Sequence, residues 1–141
     1  MRATKERTWR RLTGRLAAVG MVVGGVLAVS TSTASAAGPY FCQDGNHEGD
    51  YCAKVTAINP GSYLAFHKGP NYTSGTIAGV RLANGTPVSL VCWTTGAGDI
   101  DGHGDTYWFK VDTGAVQGYV NDWYLTTGSP SQWHPFVPYH C

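Results

Sequence analysis

The stretch Asp105–Leu125, DTYWFKVDTGAVQGYVNDWYL, decides the fold class of this chain. Tyr107–Val111 and Val116–Val120 are runs of aromatic and β-branched residues, the side chains that fit a pleated, half-buried surface. Asp112-Thr113-Gly114 between them is a turn signal, so the pair reads as a β-hairpin. Gly118 is expected to let the second strand bend ahead of Tyr119 and Val120.

The same grammar continues upstream. Tyr51–Ile58 is a strand candidate, with Cys52, Lys54 and Thr56 on one face and Tyr51, Ala53, Val55 and Ala57 on the other. Asn59-Pro60-Gly61 ends it. Leu64-Ala65-Phe66 is a short strand, and the loop His67–Thr76 follows. Ile77–Val80 and Thr86–Trp93 are expected strands on either side of the Asn84-Gly85 turn. Simple alternation sets Val88, Leu90 and Cys92 against Ser89, Val91 and Trp93, which puts Trp93 on the outer face. A Gly- and Asp-containing loop, Thr94–Asp105, leads into the final hairpin. Nothing from Ala37 to Cys141 holds a long 3.6-residue apolar period, so the chain reads as all-β, a small barrel or sandwich.

The N-terminus reads as a separate object. Arg2, Lys5, Arg7, Arg10, Arg11 and Arg15 form a basic segment, offset only by Glu6. Leu16–Val29 is apolar and short for a membrane span of about 20 residues. Ala34-Ser35-Ala36 supplies the small-x-small pattern of a signal peptidase site, so residues 1–36 are expected to be a signal peptide cleaved before Ala37. The Arg10-Arg11 pair also permits a twin-arginine route, although Leu12-Thr13-Gly14 fits it poorly. The expected product is extracellular, without a membrane segment.

Removing that segment inverts the charge. Lys54, Lys68, Arg81 and Lys110 remain against eight acids, a net charge of −4 with His neutral. Four scattered cations on an acidic domain argue against a nucleic-acid partner. All four cysteines, Cys42, Cys52, Cys92 and Cys141, follow the cleavage site, and an even count in a secreted chain indicates two disulfides. Three pairings are possible. Cys42–Cys52 and Cys92–Cys141 are expected, the first flanking a polar loop and the second tying the strandless tail to a central strand. Metal-type CxxC spacing is absent from the sequence.

The order of elements resembles bacterial Src-homology-3-like domains. Leu64-Ala65-Phe66-His67-Lys68-Gly69-Pro70 sits where that family has Leu-x-Val-Arg-x-Gly-Pro, with Phe66-His67 departing from its Val-Arg. Ile77-Ala78-Gly79, the stretch Leu82–Leu90, TYWFKV and GYVNDWYL follow in the family's order. The cysteine in Val-Ser-Leu-Val-Cys, the Thr-Thr-Gly after it and the distal cysteine are similar to a secreted actinobacterial subset. The resemblance implies a small β-barrel over residues 51–127, preceded by a disulfide loop at 37–50 and followed by a disulfide-tied tail at 128–141. It also implies a binding role with cell-wall peptidoglycan as the leading ligand; the alternative is a secreted protein-protein interaction module, an inhibitor or toxin-associated factor, and a non-enzymatic monomer is expected in either case.

Chemistry-bearing residues fit catalysis and metal binding poorly. Asp99-Ile-Asp101-Gly-His103-Gly-Asp105 has the look of a calcium loop, but His103 and Lys110 occupy the positions where an EF-hand needs an acid and a bidentate Glu. His47, His67, His103, His134 and His140 follow no zinc spacing. No Gly-x-Ser-x-Gly elbow is present, and Asp99, Asp101 and Asp105 share one loop rather than facing each other across a cleft. No cofactor is expected. The aromatic residues remain. Phe66, Phe109 and Tyr119 or Trp108 suit the core, whereas Tyr72, Trp93, Trp123 and Tyr124 are expected to line one exposed groove, where flat rings suit glycans or extended peptides.

Overall fold

The computed structural model describes residues 38–43 and 50–141. The expected signal peptide, its cleavage site at Ala37 and His47 lie outside them. One antiparallel sheet holds five strands in chain order: β1 (Tyr40–Phe41), β2 (Tyr51–Lys54), β3 (Pro87–Thr95), β4 (Tyr107–Asp112) and β5 (Gln117–Asn121). The β4–β5 hairpin is the one read from the sequence, each strand within a residue of its expected limits.

β3 is much longer than β2, and β2 pairs only with Pro87–Ser89. The rest of that edge would leave backbone groups unpaired. The C-terminal tail fills the gap. The Trp93 amide donates to Tyr139 O at 3.0 Å, and the Cys141 amide donates to Trp93 O at 2.8 Å. On its other side β3 pairs with β4, Leu90 opposite Val111 and Cys92 opposite Lys110, so an extra residue, Val91, bulges from the ladder. The bulge resets the alternation. Trp93 pairs with the buried Phe109 and therefore lies on the core face with Leu90, not on the outer face that uninterrupted alternation predicts.

After β5 the chain turns through a 3-10 helix, Asp122–Tyr124, whose Trp123 amide is capped by the Asn121 side chain at 3.1 Å. Leu125 and Thr126 then return to β2. Thr56 donates to Tyr124 O, and Thr126 to Lys54 O, each at 2.9 Å. Val55 and Leu125 form a single bridge. The sheet thus curls back toward β2 without closing; Ala57, at φ +57°, lies beyond the end of β2, where the expected Tyr51–Ile58 strand is cut short.

Two further expectations fail for a related reason. Leu64–Phe66 and Ile77–Val80 are not strands; Leu64 bridges Leu82, and His67 bridges Thr76 and Tyr119. The Asn84-Gly85 turn forms, with Gly85 at φ +85°, but it does not join a hairpin. Val55 takes the pairing instead, donating to Thr86 O at 2.9 Å and accepting from Gly85 at 2.7 Å. The His67–Tyr119 contact also explains Gly118. A Cβ there would lie 2.5 Å from Phe66 Cβ, so this glycine permits close approach rather than a bend.

The core lies on one side of the sheet. Ala53, Val88, Leu90, Phe109, Val111 and Val120 come from the strands, and Phe66, Leu64 and Leu82 cover them from the long connection. The short helix α1 (Pro130–Trp133) drives Trp133 fully into this core, 5.0 Å from Phe109 and 5.3 Å from Trp93 between ring centroids. The tail is thus part of the core and not only a tethered extension. Cys42–Cys52 and Cys92–Cys141 pair as expected, with Cα–Cα distances of 5.1 and 5.4 Å.

The two crosslinks should differ in weight. They close loops of 10 and 49 residues, for which chain entropy gives about 2.7 and about 4 kcal/mol. Chemical denaturation of Cys42→Ser/Cys52→Ser and Cys92→Ser/Cys141→Ser double variants is expected to show the larger loss in the second. Equal losses would mean that the tail contributes little beyond its contacts.

Candidate functional site

The loop between β3 and β4 is built around one carboxylate. Asp99 is buried and accepts the amides of His103 and Asp105, each at 2.9 Å, and the His103 ring nitrogen Nδ1, also at 2.9 Å. Its own amide donates to Asp105 O at 2.8 Å. Burial alone would raise the Asp99 pKa, but these donors outweigh it and hold the carboxyl well below its ordinary value. An ionised Asp99 assigns the proton of His103 to Nδ1 and leaves Nε2 as an acceptor when the ring is neutral. Asp101 accepts the Tyr124 hydroxyl at 2.8 Å, and Asp105 accepts the Tyr107 amide at 2.9 Å. All three aspartates of the calcium-like sequence therefore bind groups of the domain itself.

Aromatic side chains fasten this loop to the sheet. Trp108 is buried and donates from Nε1 to Ala97 O at 2.7 Å. Tyr72 packs edge-on against Trp108 at 5.0 Å and against His67 at 5.1 Å, and its hydroxyl accepts the Ile100 amide at 3.3 Å. Burial raises the Tyr72 and Tyr124 hydroxyl pKa values and lowers that of His67, so all three are neutral near pH 7. Trp123 stacks on His103 with ring centroids 3.5 Å apart and planes 12° from parallel.

The four aromatic residues expected in one groove are thus divided. Tyr72, Trp123 and Tyr124 all meet the 99–103 loop, but Tyr124 is only 6% exposed and Tyr72 is half-buried. Their hydroxyls hold the loop. Trp93 instead packs among Tyr107, Trp133, His134 and His140, the consequence of the β3 bulge. Trp123 is the one of the four that faces open space, 37% exposed.

That space is a cleft of about 600 Å³. Trp123, His103 and Tyr107 line it together with Thr56 and Ala57 beyond the end of β2 and Gly128-Ser129-Pro130 at the start of α1. Ala57, the non-glycine residue at positive φ, is therefore at the cleft wall, where local strain costs about 1–2 kcal/mol. Two carboxyls also line it, Asp105 and Asp122. Asp122 is 4% exposed and hydrogen-bonded by the Thr127 hydroxyl. Burial pushes its pKa up to about 7. The Thr127 bond opposes that shift, the nearby Asp105 charge adds to it, and the Trp133 indole N–H opposes it although it makes no hydrogen bond of normal geometry. Burial likewise raises Asp105, against the Tyr107 amide and with the Asp99 charge.

The sequence pointed to Trp123 but not to Asp122 beside it. Asn121-Asp122-Trp123 is legible as a capped turn, yet the burial of Asp122 comes from Trp133 and Thr127, which reach it only after the tail folds back. No family model, curated protein or solved structure matches the chain.

Two measurements test this geometry. Because the folded Asp122 pKa lies above its unfolded value near 3.8, its contribution to stability is fully present below pH 4 and is lost as pH rises through about 7. Asp99 acts oppositely, its contribution present above pH 4 and lost in acid. Through Asp122, thermal stability is therefore expected to fall from pH 5 to pH 8 by about 3 kcal/mol at most, and Asp122→Asn should flatten that fall. An unchanged slope in the variant would remove Asp122 as the cause. Separately, Trp93→Ala is expected to cost about 2–4 kcal/mol as a core truncation, read as a large drop in melting temperature, against a small one for Trp123→Ala.

Proposed function

We propose that this chain is a secreted, non-enzymatic binding module of Src-homology-3-like type that recognises cell-wall peptidoglycan or a related extracellular ligand in the cleft beside Trp123. The cleft carries the reading. A part-exposed indole, braced on one face by His103, is the kind of rigid, low-entropy surface that ligand rings pack against. The loop behind it is held by hydrogen bonds to the buried Asp99 carboxylate, so the surface is organised before a ligand arrives.

Other observations support parts of the reading. Two disulfides suit an oxidising extracellular compartment, and no helix among the described residues is long and apolar enough to cross a membrane. The β3–β4–β5 meander, the 3-10 helix and the return of Leu125–Thr126 to β2 curl the sheet in the direction of a small barrel, in keeping with the Src-homology-3-like resemblance. The hydroxyl bonded to the cleft carboxyl Asp122, that of Thr127, is itself buried and does not line the cleft, which favours binding over catalysis.

A second face favours a protein partner. Phe41, 58% exposed, packs on Tyr51 at 4.6 Å, and Tyr51 on Phe136, 40% exposed, at 5.0 Å, forming an aromatic strip away from the cleft residues. The two readings separate by mutation. On sedimentation with purified cell walls, Trp123→Ala is expected to weaken binding three- to tenfold, the loss of about 0.5–1.5 kcal/mol of stacking, while Phe41→Ala and Phe136→Ala leave it unchanged. Wall binding that survives Trp123→Ala would reject the cleft, and a loss confined to the strip variants would favour the protein-partner reading.

A further inference from the structure

The lining of the cleft narrows the ligand beyond its extracellular origin. Among the described residues that line it there is no Lys or Arg, so nothing there neutralises a carboxylate or phosphate. Asp105 and Asp122 would repel one. Thr56, Thr106, Thr126 and Ser129 add hydroxyl-bearing side chains around the same space, and the Asp99 bond leaves His103 Nε2 as an acceptor. The cleft is thus rich in acceptors and in groups that both donate and accept. A cationic ligand is less well served, because Asp122 is buried and already bonded to Thr127, and Asp105 already accepts the Tyr107 amide. What fits is a ligand that offers neutral donors. Trp123 adds a flat apolar wall for a ring whose faces are C–H and whose rim is polar. A volume of about 600 Å³ is within the range of small-molecule sites.

We infer that the cleft takes a neutral sugar ring bearing hydroxyl and acetamide groups, and so engages the glycan strand of the cell wall rather than its acidic peptide stem. The inference rests on the reading above that this cleft is the binding site. Trp123 packs on the ring face, and the part-exposed Asp105 carboxyl and the hydroxyl side chains take up the rim hydroxyls. Binding is therefore only weakly sensitive to salt.

The test uses the secreted protein with two probes, a β-1,4-linked N-acetylglucosamine tetramer and a sugar-free peptide stem carrying its free carboxylates. Tryptophan fluorescence and amide chemical shifts are followed in 0.1 and 0.5 M NaCl. The tetramer is expected to perturb the Trp123 indole and the His103 amide, with affinity changed less than twofold by salt and lowered at least threefold in Trp123→Ala. Trp123→Phe should recover part of the loss. The peptide stem should leave these signals unmoved. A stem that perturbs Trp123 while the tetramer does not, a tetramer that perturbs neither signal, or tetramer binding equal in Trp123→Ala would each overturn the inference. Wall sedimentation separates the two levels. If Trp123→Ala weakens sedimentation while the tetramer is silent, the cleft stands and the glycan assignment falls; if sedimentation is unaffected, the cleft assignment itself falls.

Discussion

The extra residue at Val91 sets Leu90 and Trp93 on the same face of β3, opposite Val111 and Phe109, and turns Cys92 to the other face, opposite Lys110. Without the bulge a one-residue phase difference would place the indole in solvent and the half-cystine in the core. With it, the far end of β3 offers two things at once: an unpaired edge beyond the end of β2, and an aromatic surface at the core margin. The tail answers both. Residues 139–141 hydrogen-bond to Trp93 and Cys141 crosslinks to Cys92, while Trp133 enters the core beside the same indole. Gly128-Ser129-Pro130, which introduce that helix, become a wall of the cleft. A local irregularity in one strand thus has its consequences at the cleft.

The loop opposite is stabilised by a different means. An eleven-residue connection with four glycines has much conformational freedom to lose, and few apolar side chains to offset that loss. It is ordered by polar contacts centred on the buried Asp99, which gathers two amides and an imidazole, while the hydroxyls of Tyr72 and Tyr124 and the Trp108 indole N–H tie the loop to the sheet. Losing the Asp99 carboxylate would leave three donors without their partner. His103 emerges from this network in a set orientation, and its stack with Trp123 carries that order to the surface. Asp122 runs against the trend, a carboxyl buried where its charged form is disfavoured. Such a cost is common where a site must hold polar groups away from water.

What was legible in the sequence follows from how local each cause is. The Tyr107–Asn121 hairpin could be read because two alternating runs and a turn lie within 15 residues and need no distant partner. The disulfides could be read because a strandless tail ending in cysteine needs an anchor. Asn84-Gly85 could be read as a turn but not as a connection, since turn chemistry specifies a local reversal and not which strand pairs afterwards; Val55, 30 residues away, took that pairing. Gly118 was seen as a special position for the wrong reason, because the side chain that comes within reach of it, Phe66, belongs to a distant segment.

By itself, then, the sequence determined an all-β chain, its last hairpin, its cysteine pairing and the presence of an aromatic surface at Trp123, all carried by periodicity, turn residues and composition. Only the tertiary structure decided that Trp93 faces the core, that Tyr124 is buried against Asp101, that the sheet curls without closing, and that Asp122 joins Trp123 at one cleft. A strand's alternation is a statement about period and not about phase, and phase is reset by any bulge that cross-strand packing selects. Burial of a polar group likewise depends on what folds over it. Here that is Trp133, reached through a tail whose course no local pattern encodes.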